Sequence, residues 1–205
     1  MTITDIRPRR KGLSQLYIDG EEAMKLDTFT LEKYGIKAGQ TITDEELYDL
    51  IQNSEKHRAS EKALYLLEHR ARSKKELVDK ISEVASKEIA IEAADHMEEI
   101  GLVNDREFAH MFARQLFGFK RYGSRRVRQE LRIKGIDPEI IDEVIAEYDN
   151  DPTEKIHEVI RKKYPKFAED EKIRRRAVAA LQRLGYTYEE IRSALGSFDE
   201  SEYFD

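Results

Sequence analysis

The chain has no cysteine among its 205 residues. That excludes disulfide staples, thiolate metal sites and thiol nucleophiles. It has no apolar run approaching the ~20 residues that span a bilayer. Its opening, MTITDIRPRRKG, lacks the apolar centre of a signal peptide. These absences lead us to expect a cytoplasmic protein with no membrane contact. Catalytic signatures are missing too: there is no P-loop, no dinucleotide fingerprint, no GxSxG and no carboxylate pair distinct from the acidic background. We expect no cofactor, no metal and no enzymatic activity.

What is present is charge. Charged residues make up 38% of the chain against 40% hydrophobic, too apolar for disorder and too charged for one round core. An elongated body of several small cores fits better, because each exposes more surface for its volume. The formal net charge is −6, yet RYGSRRVRQELRIKG (residues 121–135) packs five arginines and a lysine around one turn signal.

The first 55 residues read differently from the rest. LSQLYIDGEEAMKL alternates weakly and carries Asp19-Gly20, a hairpin-turn dipeptide, which predicts a short β element over 13–27. TFTLEKYG reads as a short helix closed by Gly35, and Thr43 with Glu46 as a capping box. From residue 56 the pattern is helical, with helices expected over 57–70, 73–85, 87–100, 104–119, 123–135, 137–148, 152–164, 168–184 and 187–195. Gly101, Gly123, Gly135, Pro165 and Gly185 separate them, and Asp137-Pro138 and Asp151-Pro152 each place a cap before a proline.

A shift of about 50 residues aligns apolar positions: Leu77, Val127 and Ala177; Ile81, Leu131 and Leu181; Ile91, Ile141 and Ile191; Ala94, Val144 and Ala194. Gly135 and Gly185 also align, with Ala85 in the first copy. The fold class expected is mainly α: three tandem three-helix repeats, too small to bury their faces alone and therefore stacked. The expected divisions are an N-terminal extension with hairpin and helix (1–55), repeats over 56–101, 102–149 and 150–196, and an acidic tail (197–205).

Charge follows the same period. The middle helix of each repeat is basic: Lys74 and Lys75 in the first, Arg125 to Lys134 in the second, Lys172 to Arg176 in the third. The last helix of the first two is acidic, with Glu88 to Glu99 and then Asp137 to Glu147. Arg125, Arg128 and Arg132 stand at i, i+3 and i+7 on one helix face, beside the apolar pair Val127 and Leu131, with Arg126 and Lys134 flanking and Ser124 able to cap. Such a stripe suits phosphates or carboxylates, since each guanidinium fork takes two oxygens. A single basic helix is more often a solvated face or a partner for acidic helices of the next repeat, but three basic helices in register point toward a binding surface.

Other residues offer less. None of the five histidines forms HxxxH. Glu92, His96 and Glu99 share a helix face, either as a surface network or as part of a metal-dependent site needing further ligands. Tyr122, Tyr186 and Tyr188 lie near helix-end glycines and can stack on bases or pack over a junction. In GLVNDREFAHMF, Asn104 or Asp105 can cap a helix whose Phe108 and Phe112 point into a core, leaving Arg106 and Glu107 outside.

RSKKELVDKI, IGLVNDREFAHMFARQ and YGSRRVRQELRIKGID, in that order, resemble the RecX family, bacterial regulators of the RecA recombinase. Weaker agreement runs through LQRLGYTYEEIRSAL, so the likeness covers residues 57–196. YIDGEE, KYGIKAGQ and TDEELYDL are similar to the N-terminal extension of some Gram-positive members. The resemblance implies a curved, elongated helical array and a non-enzymatic role. It implies binding of RecA filaments on single-stranded DNA in their helical groove, altering assembly, ATP hydrolysis and strand exchange. It also implies contact with single- or double-stranded DNA. The residues it singles out are Arg125, Arg126, Arg128, Arg132 and Lys134, with Lys74 and Lys75 behind them; charge pattern adds Arg174 and Arg175. The acidic net charge departs from the more basic balance of many members. The rival expectation is a stand-alone DNA-binding repeat protein, and the expected assembly is a monomer.

Overall fold

The structure, a computed structural model, describes residues 1–148 and 152–196. The cap expected at Asp151 and the tail from 197 to 205 lie outside the described residues. The chain divides into two compact units, Met1–Val103 and Asn104–Asp205. No helix among the described residues is long and apolar enough to cross a membrane.

The first unit opens with an antiparallel sheet of three strands in sequence order, β1 (Ile3–Pro8), β2 (Leu13–Ile18) and β3 (Glu21–Asp27). Asp19 and Gly20 form the β2–β3 turn, both at positive φ (51° and 90°), the geometry of a two-residue hairpin loop matched to strand twist. β1 was not expected from the sequence. A bulge between Ile3 and Asp5 breaks its alternation, so Ile3 and Ile6 both turn inward at a spacing of three. Ile3, Leu16 and Leu26 pack against α1 (Thr28–Lys33) and the first half of α2 (Asp44–His69).

The helix expected over 57–70 starts instead at Asp44, so α2 runs unbroken across residues 55 and 56. The Thr43–Glu46 capping box starts it, and no glycine or proline interrupts the next 26 residues. One helix therefore serves two cores. Leu47 and Leu50 join the sheet, while Ala59, Ala63 and Leu66 pack on α3 (Lys74–Ile81) and α4 (Lys87–Glu99). Between the two, the Ser54 hydroxyl accepts the buried Asp27 N–H at 2.7 Å. Thr43→Ala should cost about 1 kcal/mol, read as a lower urea midpoint. The Glu46 carboxyl, held below its usual range by the Thr43 N–H, makes the box acid-sensitive. A lowered folded-state pKa means its contribution is complete above the unfolded value and fades as pH falls through the folded one.

The second unit holds α5 (Asp105–Gly118), α6 (Ser124–Ile133) and α7 (Pro138–Tyr148) around one core, and α8 (Thr153–Lys163), α9 (Glu171–Leu184) and α10 (Tyr188–Leu195) around another. Asn104, rather than Asp105, caps α5, and Phe108 and Phe112 stack at 5.6 Å. Leu77, Val127 and Ala177 are fully buried, as are Ile81, Leu131 and Leu181, in line with a repeat of 50 residues. The alignment slips in the last helix of the first copy. Ile91 is 41% exposed while Ala90 is fully buried, in contrast to Ile141 and Ile191. The turn between α3 and α4 spans residues 82–86, whereas that between α6 and α7 spans 134–137, which breaks the one-to-one register.

Candidate cationic binding face

α6 begins without a side-chain cap. Its N-cap is Gly123, not Ser124, and the reason is space. A Cβ at Gly123 would sit 2.6 Å from the carbonyl carbon and oxygen of Gly185. The Gly123 N–H instead donates to the Leu184 carbonyl at 2.9 Å, joining the start of α6 to the end of α9 within the second unit. Above this contact the Tyr186 hydroxyl donates to the Arg121 carbonyl at 3.0 Å. Tyr186 is 1% exposed, and burial pushes its hydroxyl up to about 12. Of the three tyrosines noted near glycines, this one is a packing residue. Its raised pKa means the neutral form's stability is complete below about pH 10 and is lost as pH rises through 12. Tyr186→Phe should cost about 1 kcal/mol at neutral pH, and it should remove the alkaline loss of stability between about pH 10 and 12 in denaturant titrations.

From that anchored start, Val127 and Leu131 turn fully inward and the arginines turn out. Arg125 and Arg132, seven residues apart on one face, are exposed and have no carboxylate partner among the described residues. Arg128, between them, pairs with Asp142 of α7. Arg126 reaches Glu130 at 2.7 Å and lies over the Tyr122 ring. The Lys134 ammonium stands 5.6 Å over the Phe112 ring.

The other candidates are more engaged. Lys74 is clamped between Asp95 and Glu98 of α4, both at 2.6 Å, which raises its pKa far above the ordinary lysine value. Lys75 meets Asp79 at 2.9 Å, and Arg175 meets Glu171 at 2.5 Å, each along its own helix. Arg174 donates to the carbonyls of Phe167 and Ala168 at 3.0 and 2.9 Å, closing the turn before α9. Opposite charges therefore meet inside the first two three-helix groups: basic Lys74 and Arg128 hold acidic α4 and α7. These pairs are surface pairs worth about 0.2–1 kcal/mol each, so a stronger anionic partner can displace them. The Glu92, His96 and Glu99 group does not converge. Glu92 pairs with Lys56 at 2.9 Å, and His96 stays 3.7 Å from Glu99.

A second cluster escaped the sequence reading because it gathers residues some 40 positions apart. Phe119, 89% exposed at the end of α5, and Lys120 flank a cleft whose other wall is Lys162 and Lys163 of α8. The only signal in the sequence was an aromatic residue before a lysine at a helix end.

Three-helix groups with buried cores, one of them carrying the basic helix α6, define a helical-repeat protein. Models of the second and third three-helix domains of RecX match residues 104–145 and 149–195. The chain is 33% identical over 189 residues to the regulatory protein RecX of Caldanaerobacter subterraneus, covering 91% of this chain and 92% of that one. It is 27% identical over 206 residues to the regulatory protein RecX of Clostridioides difficile, covering 97% of each. The chain belongs to the RecX family. A solved structure titled as regulatory protein RecX superposes with a TM-score of 0.64 at 20% identity, covering 94% of this chain and 98% of that one. RecX from Lactobacillus salivarius does so at 0.60 and 21%, covering 69% and 94%. These two superpositions concern the fold.

Proposed function

We propose that this chain regulates the RecA recombinase by binding RecA filaments on single-stranded DNA along their groove, altering assembly, ATP hydrolysis and strand exchange. It acts by binding, as a cytoplasmic monomer without cofactor. The observation that carries this is the pair Arg125 and Arg132. In a chain rich in internal ion pairs, these two guanidiniums on one rigid face are left without a carboxylate among the described residues. Arg126, Arg128 and Lys134 extend the face once a partner outcompetes their weak pairs. Lys74, Lys75, Arg174 and Arg175 are auxiliary contacts.

The working units are three-helix repeats near 56–101, 102–149 and 150–196, with the sheet-bearing extension and the tail at either end. A filament repeats its surface, and tethered weak contacts add through effective concentration. Such binding shifts the filament between states by as much as its affinity differs between them. Adding the protein to RecA filaments on single-stranded DNA should change the rate of ATP hydrolysis and the yield of strand exchange. No change at saturating protein would end this reading.

A second reading, DNA binding without RecA, is favoured by Lys120, Lys162 and Lys163, which surround one cleft without a carboxylate partner of their own among the described residues. Tight binding that falls steeply with salt in the absence of RecA would support it. Weak binding that RecA rescues supports the first.

A further inference from the structure

The cleft on the second unit has a shape and chemistry that neither the arginine face nor the packing of the repeats requires. It holds about 310 Å3 and is walled by the α5–α6 turn on one side and by α8 on the other. Lys120, Lys162 and Lys163 bring exposed ammonium groups to its rim, and Val159 and Leu184 form its floor. A neighbouring hollow of about 390 Å3 shares Lys163, Val159 and Leu184 and adds Arg183, Tyr122 and Tyr164. The two form one cationic track with aromatic rings along it.

Two further features mark the cleft. Arg121, on its wall, is a non-glycine residue held at φ 56°. Such backbone strain costs of order 1–3 kcal/mol and concentrates where ligands are held. The guanidinium of Arg121 faces the cleft's one carboxylate, Glu158, at 2.7 Å, and its backbone is pinned by the Tyr186 hydroxyl. The Glu158 oxygen in this ion pair is buried and makes no directional hydrogen bond. The same guanidinium also donates to the Gly118 carbonyl, so Arg121 is engaged on both sides and holds the wall of the cleft, while the three lysines supply its positive charge, unpaired among the described residues. Phe119 adds the second feature. Its ring is 89% exposed at the mouth of the cleft, the most exposed of the large apolar side chains described. An unstacked base offers such a ring a flat apolar face, and a duplex, with its bases stacked, does not.

We infer that this cleft binds single-stranded nucleic acid, with phosphates on Lys120, Lys162 and Lys163 and a base stacked on Phe119. It refines the second reading above by selecting single strands over duplexes. The cleft itself is lined by none of Arg125, Arg126, Arg128, Arg132 and Lys134, and only the neighbouring hollow touches Arg126, so the two can be tested apart.

The test is fluorescence anisotropy with a labelled oligothymidylate of about 12 nucleotides, without RecA. Beside the full-length protein it uses Phe119→Ala and the triple variant Lys120→Glu, Lys162→Glu, Lys163→Glu. All four positions are exposed, and circular dichroism checks that the variants keep their helices. The triple variant should bind at least about tenfold more weakly, and its salt slope should flatten by about 2, since each phosphate that a lysine neutralises on a single strand contributes ~0.7. Phe119→Ala should weaken binding about tenfold, yet leave binding of an abasic strand of the same length unchanged. A matched duplex should bind more weakly and be indifferent to Phe119→Ala. The inference is overturned if the triple variant binds the strand as the parent does. It is overturned equally if Phe119→Ala affects the abasic strand as much, or if polyglutamate binds the cleft and the oligonucleotide does not. Regulation of RecA measured on the same variants separates the two proposals: a triple variant that loses the strand but still regulates RecA leaves the RecA reading intact.

Discussion

Gly185→Ala should lower the stability of the second unit by about 3–5 kcal/mol, with a thermal midpoint lower by roughly 12 °C or more. Two costs add. At φ 95° a Cβ is strained by about 1–2 kcal/mol. It would also lie 2.4 Å from the Arg126 Cβ and 2.5 Å from the Arg126 backbone nitrogen, which cannot move without unseating α6. Gly123→Ala isolates the second cost. Its φ of −80° suits any residue, but its Cβ would meet the Gly185 carbonyl group at 2.6 Å. Gly185→Ala carries both costs and Gly123→Ala only the contact, so thermal and urea unfolding should show a loss for each, the larger for Gly185→Ala. A Gly123→Ala variant as stable as the parent would show that the backbone contact between α6 and α9 does not hold this unit together.

The double variant Arg125→Glu, Arg132→Glu should keep its fold and lose at least about 30-fold in apparent affinity for RecA filaments. Both side chains are exposed and turned away from Val127 and Leu131, and neither has an ion pair among the described residues to break. Reversal replaces attraction by repulsion at two sites. At 1 kcal/mol or more per charge pair in high dielectric, that totals about 2–4 kcal/mol, a factor of roughly 30 to 1,000. Including Arg128 would blur the result, because its reversal also places two carboxylates together at Asp142. Lys74→Glu is a poor probe for the same reason. It would set a third carboxylate between Asp95 and Glu98 and loosen α3 from α4.

Much of the helical architecture could be read from local chemistry. Apolar spacing placed Leu77, Val127 and Leu131 inside, and the caps at Thr43 and Asn104 mark starts that need no tertiary information. The Asp19-Gly20 turn announced its hairpin. The misses share a cause, which is that distant residues decided them. β1 is masked by a bulge that exists only because β2 lies beside it. α2 runs past residue 56 because two separate cores each claim one end of it. Gly123 replaces a side-chain cap because Gly185, 62 positions on, leaves no room for one. The site shows the same limit. Sequence offered nine cations but not which were already engaged. Lys74 and Arg125 look alike in a string, while one is clamped by two carboxylates and the other is bare among the described residues.

ATP hydrolysis by RecA filaments on single-stranded DNA, followed as parent protein and the Arg125→Glu, Arg132→Glu variant are each titrated in, decides whether the α6 face is the grip. The parent should change the rate along a saturating curve, and the variant should need at least about 30-fold more protein for the same effect. Superimposable curves, from a variant whose circular dichroism and unfolding match the parent, would remove this face from RecA binding.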